Sequence, residues 1–291
     1  MTMTSRTRRR PAASWLLLVP ALALLAAILL VPLFQSLLRS FDGAPGFTLQ
    51  HYASLFTDGV TLTVLARTAG TAAIVTVVTF LLGYPYAYLM TRVGPRLRGV
   101  LLVVVLIPFW TSVMARNFAW IILLQRGGPV QSFFDFFGAS HVVFYGTVVG
   151  VTVAMSQVLL PFMVLPLFSS LGSIDRKLLL AARGLGSPPL VAFWKIYWPL
   201  SRGGVVSGII LVFTLSLGFY VTPALLGSPQ QSLIAQLLAT RTSQLLDFAG
   251  AGALGMLVLV VTLVLVTWAN RVGGGVSAIG VIATSQPKDN S

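Results

Sequence analysis

Residues 175–203 read DRKLLLAARGLGSPPLVAFWKIYWPLSRG, a basic, helix-capable stretch set between two long uncharged runs, 136–174 and 203–240. It holds Arg176, Lys177, Arg183, Lys195 and Arg202 against a single acid, Asp175. A stretch of this kind between apolar runs of such length is a loop on one side of a bilayer. The rest of the chain follows the same plan. Charged residues divide it into neutral segments at 11–38, 68–91, 99–115, 136–174, 203–240 and 248–270. Each is long enough for the roughly 20 residues that a helix needs to cross about 30 Å of hydrocarbon, except 99–115, which must run past Arg116 toward Leu124.

Composition agrees. With 56% apolar and 9% charged residues among 291 and a mean hydropathy of +0.92, too little polar surface exists to wrap a water-soluble globule. The fold class is all-α: a polytopic membrane protein of about six transmembrane helices. The expected division is a basic N-terminus (1–13), spans at 14–38, 67–91, 99–124, 143–170, 201–223 and 247–270, and a tail at 271–291. Between the spans lie an outer segment with a short helix (39–66), an inner loop (92–98), an outer loop (125–142), a second inner loop (171–200) and an outer or re-entrant segment (224–246). Segments 136–174 and 203–240 exceed one crossing, so surplus helix or re-entrant structure is expected at their ends, marked by Pro161, Pro166, Pro223 and Pro229.

The net charge of +13 is distributed by topology. With the N-terminus inside, the inner face gathers Arg6, Arg8, Arg9 and Arg10, then Arg92, Arg96 and Arg98, then the five basic residues of 175–203, then Arg271 and Lys288. That is fourteen of the 19 lysines and arginines. Nucleic acid is therefore a poor explanation of the charge, and both termini are expected in the cytoplasm. A cleaved secretory signal fits badly, because the apolar run of 14–38 is too long and Ala21-Leu22-Ala23 lies inside it.

Several chemistries are excluded by what the sequence lacks. There is no cysteine and no glutamate, and all six aspartates flank spans or lie in loops or the tail. His51 and His141 fall in outer loops, so no paired carboxylates or His/Glu cluster is available for hydrolysis or metal binding within the spans. A proton- or sodium-coupled carrier commonly places ionisable groups at mid-membrane. These spans have none. Nor is there a Gly-x-x-x-x-Gly-Lys-Ser/Thr loop to hold ATP. Energy must enter from a partner, and the loop at 171–200 is the place to receive it: Leu178 to Leu185 favours helix, Ala181 and Ala182 allow close approach, and Gly186 with Pro188 and Pro189 forces a turn. Phe193, Trp194, Tyr197 and Trp198 are expected to pin the second half at the membrane interface.

This loop resembles the signature of the membrane subunits of bacterial ATP-binding-cassette importers, Glu-Ala-Ala, three residues, Gly, then an Ile/Val-x-x-Pro ending. Ala181, Ala182, Gly186, Phe193, Ile196 and Pro199 match, while Leu180 stands in place of the Glu. The resemblance implies the type I importer permease fold, with Asp175, Leu180, Ala181, Ala182, Gly186, Phe193 and Pro199 in a coupling helix that docks on a cytoplasmic ATPase dimer. Those ATPases would bind ATP and magnesium, and this chain would need no cofactor. The other implied partners are a homologous second permease and an extracytoplasmic solute-binding protein, in a bacterial inner membrane.

Residues 67–92, with Leu82-Gly83-Tyr84-Pro85-Tyr86-Ala87-Tyr88, together with Pro108-Phe109-Trp110-Thr111-Ser112 and Leu159-Leu160-Pro161-Phe162-Met163, look like spermidine/putrescine-type permeases, particularly the B-type subunit. Relatives of that group carry polyamines, 4-aminobutyrate, opines, aminophosphonates or ferric iron. A stand-alone channel or carrier is the alternative from another class. For a cationic amine, aromatic faces next to helix breaks are the physical candidates: Phe109, Trp110 and Thr111 after Pro108, and Phe219 and Tyr220 before Pro223. Arg116 and Asp247 are the candidates for docking the binding protein at the outer mouth.

Overall fold

The computed structural model describes residues 12–43, 46–138, 143–175, 177–178, 182, 184 and 186–272. Among them, five helices are long and apolar enough to cross a membrane, and a sixth crossing is available if one bent helix pair counts as a span.

Helix α1 (Ala12–Arg39) leads to a two-residue antiparallel ladder, β1 (Asp42–Gly43) with β2 (Gly46–Phe47), and a short α2 (Gln50–Thr57). Asp58 then caps α3 (Gly59–Arg92), its carboxylate accepting from the Val60 and Thr61 amides at 3.1 and 3.2 Å and from the Thr61 hydroxyl at 2.5 Å. Gly94 and Pro95 end that helix and begin α4 (Pro95–Trp110), followed by α5 (Val113–Leu124) and α6 (Pro129–Phe136). The long α7 (Val148–Gly172) precedes the basic stretch. Beyond that stretch come α8 (Pro189–Ala192), a π-helical turn at Phe193–Tyr197, and α9 (Trp198–Leu217). An outer segment of α10 (Val221–Leu226), a 3-10 turn (Pro229–Gln231) and α11 (Ile234–Ser243) leads to the final α12 (Phe248–Val272).

The main core is formed by α3, α7 and α9. Small residues let these helices approach, as lipid-solvated helix contacts require. A Cβ added at Gly208 would lie 2.7 Å from the Met163 sulfur, and one at Gly83 would lie 3.0 Å from Met163 Cγ. At Gly204 it would meet Ser170 Cβ at 2.5 Å and the Pro166 carbonyl at 2.8 Å. Two hydroxyls buried in this bundle are returned to their own helix, Thr76 donating to Ala72 O and Thr79 to Val75 O, at 2.7 and 2.8 Å. A smaller outer cluster joins Leu55, Val64, Ile234, Ala253 and Leu254.

The third crossing differs from a single continuous span over 99–124. It is broken at Thr111–Ser112, where Thr111 is extended, and α4 meets the α5–α6 stretch at 97°. Pro108 removes an amide from the last turn of α4, and Ser112 restarts the chain as the cap of α5, accepting from Ala115 N at 3.5 Å. Pro161 and Pro166 differ as well. Both lie inside α7, which runs through them, whereas Pro223 and Pro229 do fall in the short-helix segment after α9.

That segment's irregular backbone is satisfied by protein. Gly146 N donates to Leu226 O at 2.9 Å, Val148 N to Gln231 Oε1 at 2.7 Å, and Ile234 N to Thr68 Oγ1 at 2.9 Å, while Arg67 reaches Gln230 O at 2.8 Å. Non-helical backbone at membrane depth is tolerated only when covered in this way.

Candidate functional site

The described residues of the basic stretch include a helix cap at its start and an enforced stop at its end. Asp175 accepts from the Lys177 amide at 2.9 Å through Oδ1, which makes it an N-cap, and residues 177, 178, 182 and 184 are helical. At the other end Gly186 takes φ +80°, and Ser187 N donates to Ala182 O at 3.0 Å. A left-handed glycine followed by a bond reaching back five residues is the Schellman stop, and Pro188 prevents the helix from resuming. Nothing lies within 4 Å of a Cβ built at Gly186. Its conformation, rather than crowding, is what requires glycine. Leu180 and Ala181 lie outside the described residues. Lys177, Leu178 and Gly184 are exposed, so the helix presents a bare face.

After the stop, the chain is fixed by rings. Phe193 sits edge-on to Tyr84 and to Tyr88, each at 6.1 Å, and Trp198 packs against Tyr84 at 5.7 Å. Tyr88 meets Tyr197 at 5.3 Å, and the Arg92 guanidinium lies 4.8 Å over Tyr88 while donating to its hydroxyl at 2.7 Å. Instead of anchoring at a lipid interface, Tyr197 is only 3% exposed and Phe193 packs into the main core; Trp194 alone of the four aromatics is largely bare, at 56%. The physical reason is that α3 offers a receptive stripe, Phe80, Tyr84, Tyr88 and Arg92 at intervals of four residues, which a helix places on one face. That spacing was present in the sequence and was the signal for this contact.

The candidate path residues lie at two backbone breaks. Phe109 packs edge-on against Phe162 at 5.2 Å, and Trp110 is 76% exposed. Thr111 returns its hydroxyl to Pro108 O at 3.1 Å. At the second break Phe219 packs on the main core and Tyr220 is half-exposed. Among the described ring pairs, none joins the first group to the second. Arg116 donates to Pro108 O and, at 3.3 Å, to Thr111 Oγ1, so its side chain closes the elbow between α4 and α5; its Nε is buried without a partner.

Asp247 caps α12, accepting from Gly250 N at 2.8 Å, and lies 3.9 Å from Arg241. Sequence reasoning missed Arg241 as a hub: it also lies 3.7 Å from Asp58 and donates to Thr61 Oγ1 at 2.9 Å, joining the ends of α3, α11 and α12. Bonds from the Thr61 hydroxyl and the Val60 amide, with Arg241 nearby, hold the Asp58 carboxyl below the ordinary carboxylate range. No local pattern in the sequence pairs residues 58 and 241. Leu246, beside Asp247, takes φ +53°, an uncommon left-handed conformation for a non-glycine.

Residues 79–273 match the family of binding-protein-dependent transport system inner membrane components. The spermidine/putrescine transport system permease protein PotB of Escherichia coli (strain K12) is 30% identical over 226 residues, covering 76% of this chain and 82% of that one. PotB of Haemophilus influenzae is 29% identical over 223 residues, covering 75% and 78%. Among solved structures, a bacterial ABC transporter that imports the acidic polysaccharide alginate superposes with a TM-score of 0.72 at 17% identity, covering 92% of this chain and 97% of that one, which is likeness of fold. A family match that takes in the last part of α3, all of α7 and α9, the basic stretch and its ring-fixed continuation makes the chain a member of the binding-protein-dependent transport inner-membrane components, the permease subunits of ATP-binding-cassette importers.

Proposed function

We propose that this permease carries a small organic amine of the polyamine type, handed over by its extracytoplasmic binding protein, and that residues 175–199 are the surface on which the ATPase dimer acts. The observation that carries the second part is the capped helix ending at Gly186, bare on its outward face and joined to two core helices. The similarity to PotB supports the amine. The ATPases would supply ATP and magnesium binding, a homologous second permease would complete the pore, and both termini would lie in the cytoplasm with the basic loops. ATP-driven closure of the ATPases would push the 175–199 segments and open the pore outward; hydrolysis would reset it.

Within the pore, the amine would pass the aromatic faces at the two breaks, Phe109, Trp110 and Thr111 on one side and Phe219 and Tyr220 on the other, with the binding protein seated near Asp247 and Arg116. Aromatic faces attract organic cations without a carboxylate. One observation favours a second reading, an anionic substrate: Arg116 is the lone charged residue between Arg98 and Arg126, and part of its guanidinium is unpaired.

Stimulation of ATP hydrolysis in the assembled complex decides between the two. Spermidine or putrescine with the cognate binding protein is expected to stimulate, and Trp110→Ala to reduce that stimulation more than Trp268→Ala. Stimulation by anions alone rejects the amine. For coupling, Ala182→Glu and Gly186→Asp are expected to abolish transport and weaken ATPase association with insertion intact, because an uncompensated charge would be buried at the contact. Wild-type transport in both variants rejects the coupling role.

A further inference from the structure

The coupling segment is covalently continuous with α9, but it has no such continuity with α3. Its link to that helix is a set of rings, and the backbones of α3 and the π turn do not pack closely. Resting on the coupling role proposed above, we infer that Phe193 is a positioning residue that passes displacement of the 175–192 segment sideways into α3, with the π turn fixing the angle at which its ring enters.

A proline stands directly after the residue that closes the turn. Pro199 has no amide hydrogen, so the Lys195 carbonyl cannot receive the α-helical bond that would close the last turn before α9. The chain instead takes a wider turn, in which Trp198 N donates to Phe193 O, five residues back. A π turn accommodates one more residue than an α turn and so resets the azimuth of everything on its N-terminal side, and such turns occur frequently at functional positions. Here the reset places Phe193 between Tyr84 and Tyr88, rather than outward with Trp194.

The socket that receives it is stiff on both sides. Tyr84 shares a hydrogen bond of 3.1 Å with Ser201 of α9, and Arg92 lies over both Tyr88 and Tyr197, at 4.8 and 5.7 Å. Phe193 also stacks on Tyr197, at 6.1 Å and 18°, and the Tyr197 hydroxyl bonds back to Leu171 O of α7 at 3.5 Å. One ring therefore stands where α3, α7 and α9 converge on the coupling segment. A packed core has discrete rather than continuous arrangements, so displacing that ring shifts α3 together with α9.

The test uses the complete importer, with ATPases, second permease and binding protein, in proteoliposomes, comparing Phe193→Ala, Phe193→Leu and Phe193→Tyr. Phe193→Ala is expected to lower the substrate moved per ATP about tenfold, with a smaller loss of ATPase co-purification than Ala182→Glu gives. Phe193→Tyr, which keeps the ring edges, is expected to restore that yield, and Phe193→Leu to fall between. Wild-type yield per ATP in Phe193→Ala overturns the inference. Loss of ATPase co-purification in Phe193→Ala as large as that in Ala182→Glu also overturns it, because the ring would then belong to the ATPase contact and the coupling role would stand. Failure of the coupling role reads out separately, as Ala182→Glu leaving association and transport intact. Should Phe193→Ala not reach the membrane, Phe193→Leu carries the decision by the same yield.

Discussion

Helices α1 and α7 are alike in every respect that hydropathy measures: both are long, strongly apolar and free of charge within their spans, and each contains two prolines. In the most apolar stretch of α7, 56% of residues are buried against protein, and in that of α1 none is. The difference lies in how many helices come close. Met163 of α7 is met by Gly83 of α3 and by Gly208 of α9, and Ser170 by Gly204 of α9, whereas α1 touches the rest of the chain mainly along α12, where a Cβ added at Gly252 would lie 2.8 Å from the Ser36 carbonyl. Lipid is as apolar as leucine, so apolarity drives a helix into the membrane and close packing decides what it touches there.

The largest effect should come from the tightest of these approaches. Gly204→Val would force side-chain atoms against the Pro166 carbonyl, which is backbone and cannot retreat cheaply, and should cost about 3 kcal/mol or more. Thermal aggregation in detergent measures it. Stability like wild type would mean that α7 and α9 are not held as closely as these contacts state.

An intermediate effect tests the shared neighbour. Gly83→Ala and Gly208→Ala should each cost about 1 kcal/mol, since both press on the flexible Met163 side chain. The double variant should cost more than their sum, because Met163 cannot withdraw from both. Strict additivity would show that the two contacts are independent. At the far end of the comparison, Leu25→Ala in α1, at a residue 63% exposed, should change the stability of the isolated chain by less than about 0.5 kcal/mol. A loss near that of Gly208→Ala would erase the distinction between the two helices.

The outer hub gives a smaller, pH-dependent effect. Because the folded Asp58 carboxyl is held below its ordinary value, its stabilisation is present above that value and is lost as pH falls through the lower folded one. Arg241→Gln should abolish part of this acid sensitivity, with a cost of about 1 kcal/mol or less at neutral pH, since both carboxylates remain substantially exposed. The melting temperature measured across acid pH in each variant is the check.

Fold class was legible because apolar runs bounded by charges report membrane crossings directly. Gly186 and Pro188 likewise announced a stop through backbone chemistry that is local. The elbow at Thr111–Ser112 was less visible: Pro108 weakens a helix, but Pro161 and Pro166 are carried straight through α7, and the outcome depends on what covers the freed carbonyl. At the elbow the break at Thr111–Ser112 also leaves the carbonyl of Pro108 itself open, and Arg116, eight residues on, donates to it. The aromatic socket was readable in principle from the four-residue stripe on α3 facing Phe193 and Tyr197. Reading these rings as interfacial anchors treated the loop alone and left out the helix that receives it. Arg241 with Asp58 depends on tertiary proximity and leaves no trace in either local sequence.

The elbow also bears on how the chain is made. Helix α4 has 16 residues, about 24 Å at 1.5 Å per residue, and cannot by itself bridge a hydrocarbon layer of about 30 Å. Until Arg116 arrives, after α4 is complete, the Pro108 carbonyl would have the Thr111 hydroxyl as its partner and no guanidinium. The third crossing therefore cannot settle in the bilayer as an autonomous unit during synthesis. It must wait for α5 to complete the crossing and the cover of its elbow, and for the Gln157 side chain of α7, which accepts from the Trp120 ring nitrogen at 2.7 Å, to fix its position.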